Sequence, residues 1–180
     1  MTMMKSLLLF ASVVAVSLAK CPDLKSLDEF DATQYTGQWY EISRYPLIGE
    51  LGETCVQTNY TLKEDGTIRL ENRGKKPDGS IDSIMATATV KDPAHPASLS
   101  VVFDEGFRGS YNVIRTDYTQ SALVYACDSL LGFNVEYAWI LSRTAELDQS
   151  TQDEYVKLMA DAGSATNKLT VTPQDCGSVF

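Results

Sequence analysis

The sequence is poor in histidine: a chain of 180 residues carries one, His95, inside the turn sequence Pro93-Ala94-His95-Pro96. Chemistry that needs an imidazole base or a set of imidazole metal ligands has almost no material here, and no metal site is expected. No G-x-S-x-G and no H-E-x-x-H occurs, so two common hydrolase signatures are missing as well. Basic residues are also short, with 15 Lys+Arg against 24 Asp+Glu and a formal charge of −9. So acidic a chain repels nucleic acid and anionic membrane, and neither is expected as a charge-driven partner. No two of the four cysteines have C-x-x-C spacing, which argues against a zinc or redox motif. Internal repeats, linkers and low-complexity segments are absent. What remains is the composition of an ordinary soluble globular protein, 44% hydrophobic and 22% charged.

The only long apolar run is N-terminal. Lys5 precedes Leu7 to Leu18, a run broken only by serines, and Ser17 and Ala19 stand at the −3 and −1 positions of an A-x-A-like cleavage site. The run is shorter than the ~20 residues of a spanning helix. It reads as a secretory signal peptide over residues 1–19. Residues 20–180 are then the mature protein, one domain, soluble and extracellular. In that compartment Cys21, Cys55, Cys127 and Cys176 form disulfides, and three pairings are open from sequence alone. Asn59-Tyr60-Thr61 is a glycosylation sequon of the same compartment.

Short β-rich runs follow one another between Pro- and Gly-bearing turns such as Glu64-Asp65-Gly66 and Pro77-Asp78-Gly79. The runs are 39–45, 56–63, 68–73, 81–91, 97–103, 109–116, 122–127 and 135–143. This pattern predicts an all-β antiparallel sandwich or barrel. Val56, Thr58, Tyr60 and Leu62 share one strand face, and Ile68, Leu70 and Asn72 share another. Asn59 then falls on the outer face. The runs 109–116 and 122–127 are apolar on both faces, and alternation does not assign their inward side. Near the C-terminus, Thr151 and Glu154 suggest a capping box. Tyr155, Leu158, Met159 and Ala162 make a helical stripe that Gly163 ends, and a short strand, 169–172, follows.

Three motifs stand in order along these strands: Gly37-Gln38-Trp39, Thr116-Asp117-Tyr118 and a terminal Arg143 after Trp139-Ile140-Leu141-Ser142. Together they resemble the G-x-W, T-D-Y and Arg motifs of the lipocalin family. The match to the apolipoprotein D-like group, related to insect bilin-binding proteins, covers essentially the whole mature chain. The resemblance implies an eight-stranded antiparallel up-and-down barrel with one helix on the outside. It implies disulfides Cys21–Cys127 and Cys55–Cys176. It assigns Gly37, Trp39, Thr116, Asp117, Tyr118 and Arg143 to the scaffold, with the Arg143 guanidinium over the Trp39 indole.

The function implied is carriage of a small hydrophobic ligand: a lipid, retinoid or carotenoid, steroid or bilin pigment. Ligand-lining positions are Trp139 and Leu141, which share a face, with Tyr60 and Asn72. Lys76, in the following loop, is placed near the mouth to meet a ligand carboxylate. No cofactor is expected beyond a bilin or lipid held non-covalently. The loops 46–49 and 130–133 carry Leu47, Ile48, Leu130, Leu131 and Phe133 at the expected open end. They serve either as a lid or as an apolar rim that meets lipid particles, membrane or a second copy of the chain. A secreted module acting through its surface is the alternative. An enzyme is the more distant one, because the resemblance leaves no free thiol and the loop 103–110 has no methionine.

Overall fold

The structure, a computed structural model, describes residues 20–130 and 133–176, without the side chains of Ile48, Ser129 and Leu130. Residues 1–19, read above as a signal peptide, and Leu131 and Gly132 lie outside the described residues. Eight strands form the barrel: β1 (Gly37–Arg44), β2 (Thr54–Leu62), β3 (Ile68–Lys75), β4 (Ile81–Val90), β5 (Ser98–Phe103), β6 (Arg108–Thr116), β7 (Ser121–Leu130) and β8 (Phe133–Ser142). Each pairs antiparallel with the next, and β1 pairs with both β2 and β8, which closes the ring and removes its edges. A short ninth strand, β9 (Thr170–Val171), lies against the end of β1. The turns are made where sequence chemistry asks for them. Gly66 and Gly79 sit at positive φ, and Asp65 and Asp78 each accept the N–H two residues on.

Alternation along each strand sorts the side chains. In β3, Ile68 and Leu70 point into the barrel and are buried, while Arg69 and Arg73 stand outside and pair with Asp104 and Glu71. Apolar groups inside and charges outside are the reverse of a membrane-spanning barrel. A second apolar layer lies outside the barrel wall. There the helix α2 (Gln149–Asp161) sets Tyr155 and Met159 against Ile42, Ile114, Leu123, Tyr125 and Ile140.

The helix starts before the predicted capping box. Thr151 is inside its first turn, and Asp148 at the N-cap makes no side-chain cap bond. The Gln152 side chain instead donates to Leu147 O at 2.8 Å, so the helix start is secured from within the first turn. Gly163, at φ +91°, follows the helix as expected.

One end of the barrel is plugged. A single helical turn, α1 (Ala32–Tyr35), is capped by Asp31 and brings Tyr35 over Trp39, whose indole N–H donates to Tyr35 O at 2.9 Å. Trp39 is fully buried, and Arg143 lies 3.8 Å from its ring centroid. The same guanidinium donates to the carbonyls of Tyr118, Gln38 and Gln34, tying three chain segments together. Asp117 holds the β6–β7 turn by accepting three backbone N–H groups, from Thr119, Gln120 and Ser121. The Tyr118 hydroxyl accepts the Asp31 N–H. Two disulfides, Cys21–Cys127 and Cys55–Cys176, fasten the N-terminal segment and the C-terminal tail to the wall across 106 and 121 residues.

Candidate functional site

Because Trp39 and Tyr35 fill only the closed half, the other half of the barrel is hollow. The cavity is about 630 Å³ and opens between the β1–β2 and β5–β6 loops. Its floor is a run of tyrosines. The Tyr111 hydroxyl bonds those of Tyr35 at 2.8 Å and Tyr60 at 2.7 Å, so three buried hydroxyls satisfy one another. Burial pushes the Tyr60 hydroxyl up to about 12 and raises Tyr35 and Tyr111 well above the usual phenol range. One wall is aromatic, with Trp139 stacked near Tyr137 and Tyr111 at 6.1 and 6.3 Å. Leu70, Ile84, Val101, Phe103 and Leu141 supply the aliphatic and aromatic remainder.

Of the residues expected to line a ligand site, Trp139, Leu141, Tyr60 and Asn72 do face this cavity. Lys76 is not among the lining residues of the cavity. It belongs to the β3–β4 turn, where its ammonium pairs with Asp82 at 2.8 Å and its N–H donates to Ser80 O. At the mouth, Leu47 lines the cavity and Phe133 is exposed. The side chains of Ile48 and Leu130, and all of Leu131, are outside the described residues. Phe107, on the β5–β6 loop, and Leu51, further along the β1–β2 loop from Leu47, are also exposed. Asn59 is exposed on the outer face of β2, as a sequon requires.

The feature that sequence reasoning missed is an acidic group inside the barrel. Glu41, two residues after Trp39 on the same strand face, lines the cavity and is 3% exposed. Parity with Trp39 was the signal for it. A bulge between Glu41 and Ser43 then breaks the alternation and brings the buried Arg44 alongside. Arg44 Nη1 donates to Glu41 Oε1 and, at 2.9 Å, to Thr172 Oγ1, which itself donates to Glu41 Oε1. Arg44 Nη2 donates to Glu50 O, and Nε lies 3.3 Å from the Glu50 carboxylate. Burial raises the Glu41 carboxyl above its ordinary value against the pull of Arg44. Glu50, mostly shielded from water and next to Glu41, is pushed up to about 7. Glu53, also buried, is the third acid of this corner, and its Oε1 has no hydrogen-bond partner among the described residues. Its other oxygen is 2.5 Å from where a Cβ on Gly74 would stand, so Gly74 leaves it room. Among the described residues, no three His, Cys, Asp or Glu side chains gather as a metal ion would require, and every cysteine is paired.

The family model described as a lipocalin-like domain matches residues 30–174, which span the whole barrel together with its outer helix. The chain belongs to the lipocalins. This lipocalin is 35% identical to apolipoprotein D of Cavia porcellus over 176 residues, 97% of this chain and 93% of that one. It is 38% identical to apolipoprotein D of Macaca fascicularis over 160 residues, covering 88% and 84%. Among solved structures, insecticyanin of the tobacco hornworm Manduca sexta shares the lipocalin's fold at a TM-score of 0.74, with 22% identity and 85% of each chain covered.

Proposed function

We propose that this lipocalin is a secreted carrier that holds one small hydrophobic molecule in the barrel cavity. The observation that carries this reading is the hollow half of the barrel. A cavity of about 630 Å³ lies within the range of small-ligand sites, about 300–1,000 Å³. Its lining is mainly aromatic and aliphatic with a few polar groups, which suits a lipid, retinoid or carotenoid, steroid or bilin. Trp139, Tyr60, Asn72 and Leu141 are the lining residues that contact it. A carrier rather than an enzyme fits a site whose tyrosine hydroxyls are turned to one another and whose cysteines are all in disulfides. The two disulfides and the exposed Asn59 support secretion and glycosylation.

The test is a retinol titration that follows tryptophan emission in Trp39→Phe and Trp139→Phe variants. Trp139, in the cavity wall, is quenched by the ligand; Trp39, in the closed end, responds little. Equal quenching of the two refutes the placement. Trp139→Ala weakens binding by ~1–3 kcal/mol while the barrel still folds. A blue-green colour in the purified protein assigns a bilin.

A second role rests on the open end. Phe133 at 75%, Phe107 at 67% and Leu51 at 64% exposure stand on three loops of that end. Such a rim supports contact with lipid particles or a second copy during cargo exchange, without charge attraction.

A further inference from the structure

The polar groups of the cavity are unequal in kind. Glu41, Glu50 and Asp128 line it, and all three carry carboxylates. Arg108 is the one cation among the described lining residues, and it is exposed, at the end of the β5–β6 loop. The other nearby cations are committed elsewhere. Arg44 spends its guanidinium on Glu41, Thr172 and Glu50, and Lys76 is held by Asp82. The tyrosine hydroxyls of the floor are bonded to one another.

Glu41 stands apart. It is nearly fully buried, and both bonds to its carboxylate fall on Oε1. Oε2 accepts no hydrogen bond among the described residues. Its depth is also defined. In the β1–β8 register Glu41 is opposite Leu141, and Arg44 is opposite Trp139. Trp139 and Leu141 are successive inward positions of β8, with Leu141 nearer the closed end. A molecule lying on the Trp139 ring therefore brings its inner end beside Glu41. Asn72, whose amide oxygen has no partner among the described residues, is in the same lining.

We propose that the cavity selects ligands by a hydrogen-bond donor at their buried end — a hydroxyl, an amine or a ring N–H — received by Glu41 Oε2, and that it discriminates against carboxylates. A ligand donor placed at Oε2 makes a charge-assisted bond that neither Arg44 nor Thr172 supplies there. A ligand carboxylate at the same point must either face a like charge or share a proton with Glu41, and each weakens binding. Asn72 does not reverse this preference, because an amide offers donor or acceptor alike. The acids at the mouth add to it, since only the exposed Arg108 opposes them.

This inference rests on the carrier reading, and matched ligands separate the two. Retinol and retinoic acid differ only in the head group, as do hexadecanol and palmitate. Dissociation constants are measured for both pairs at pH 7.5, by tryptophan quenching and by displacement. The expected result is that each alcohol binds about tenfold or more tightly than its acid. In Glu41→Gln, checked for folding by circular dichroism, the alcohols weaken and the acids tighten, so the ratio collapses. An acid that matches or exceeds its alcohol in the parent protein overturns the inference alone and leaves the carrier reading standing. No binding by any of the four ligands overturns both. Should Glu41→Gln not fold, the parent protein's two ratios decide the matter.

Discussion

Glu50→Gln is the most direct probe of the buried acids beneath the mouth. The Glu50 carboxylate is mostly out of water, with its Oε2 3.3 Å from Arg44 Nε but without a hydrogen bond. Burial, and then the charge of Glu41, raise it from 4.5 to about 7, while Arg44 pulls the other way. The sign follows. A carboxyl with a raised folded value favours the fold while protonated, so its contribution is fully present below about 4.5 and is lost as pH rises through about 7. At about 1.4 kcal/mol per pH unit, that interval amounts to about 3 kcal/mol by pH 8 and under about 1 kcal/mol at pH 5. Glutamine has nearly the same shape and cannot ionise. The variant therefore gains about 2 kcal/mol on the parent between pH 5 and pH 8. The assay is urea unfolding of both proteins with disulfides intact, at those two pH values. Comparing parent with variant cancels the titrating groups that do not interact with Glu50; Glu41 and Glu53, relieved of a like charge, act in the same direction. If the stability difference does not grow from pH 5 to pH 8, Glu50 is not held in a desolvated site and the reasoning about this corner fails.

Removing the tail disulfide with a Cys55→Ser, Cys176→Ser pair destabilises the protein by about 2–5 kcal/mol in denaturant unfolding. Non-reducing peptide mapping of the parent protein finds Cys21–Cys127 and Cys55–Cys176, and recovery of a Cys21–Cys55 peptide contradicts the fold. Arg143→Met loses three carbonyl contacts and the Trp39 stacking together, and lowers stability by about 2–4 kcal/mol with ligand affinity nearly unchanged; a comparable loss of affinity instead places the closed end in the site. Replacing Phe107 and Phe133 with serine reduces flotation with neutral lipid vesicles and reduces self-association. A variant that matches its parent in both assays shows that the exposed rings are not a docking rim.

Much of this protein was legible in one dimension. The alternation in β2 and β3 assigned Tyr60, Leu70 and Asn72 to the interior, because a strand that faces water on its outer side must separate its residues by two. Gly37, Trp39, Tyr118 and Arg143 marked the closed end through a family resemblance, and the Gly-bearing turns fell where the chain reverses. The capping box misled because its pattern is local, and the side chain of Gln152 secured the helix start instead.

Tertiary structure decided what alternation cannot. In β7, Val124 faces the barrel core while Leu123 and Tyr125 face the outer helix, so both sides are apolar and parity has no polar side to read. The helix that covers the second face comes from residues 149–161, far along the chain. The same holds for the site. Glu41 shares the face of Trp39, but a buried carboxylate is tolerable only where its partners arrive. Those are Arg44, swung round by a bulge, and Thr172, from the C-terminal tail. Lys76 stands in the loop the sequence indicated, and its ammonium is paired with Asp82 across its own hairpin, a partner that alternation does not reveal. Strand faces follow from a local period of two; the solvation of a charge depends on every element that packs around it, and only the closed barrel brings those together.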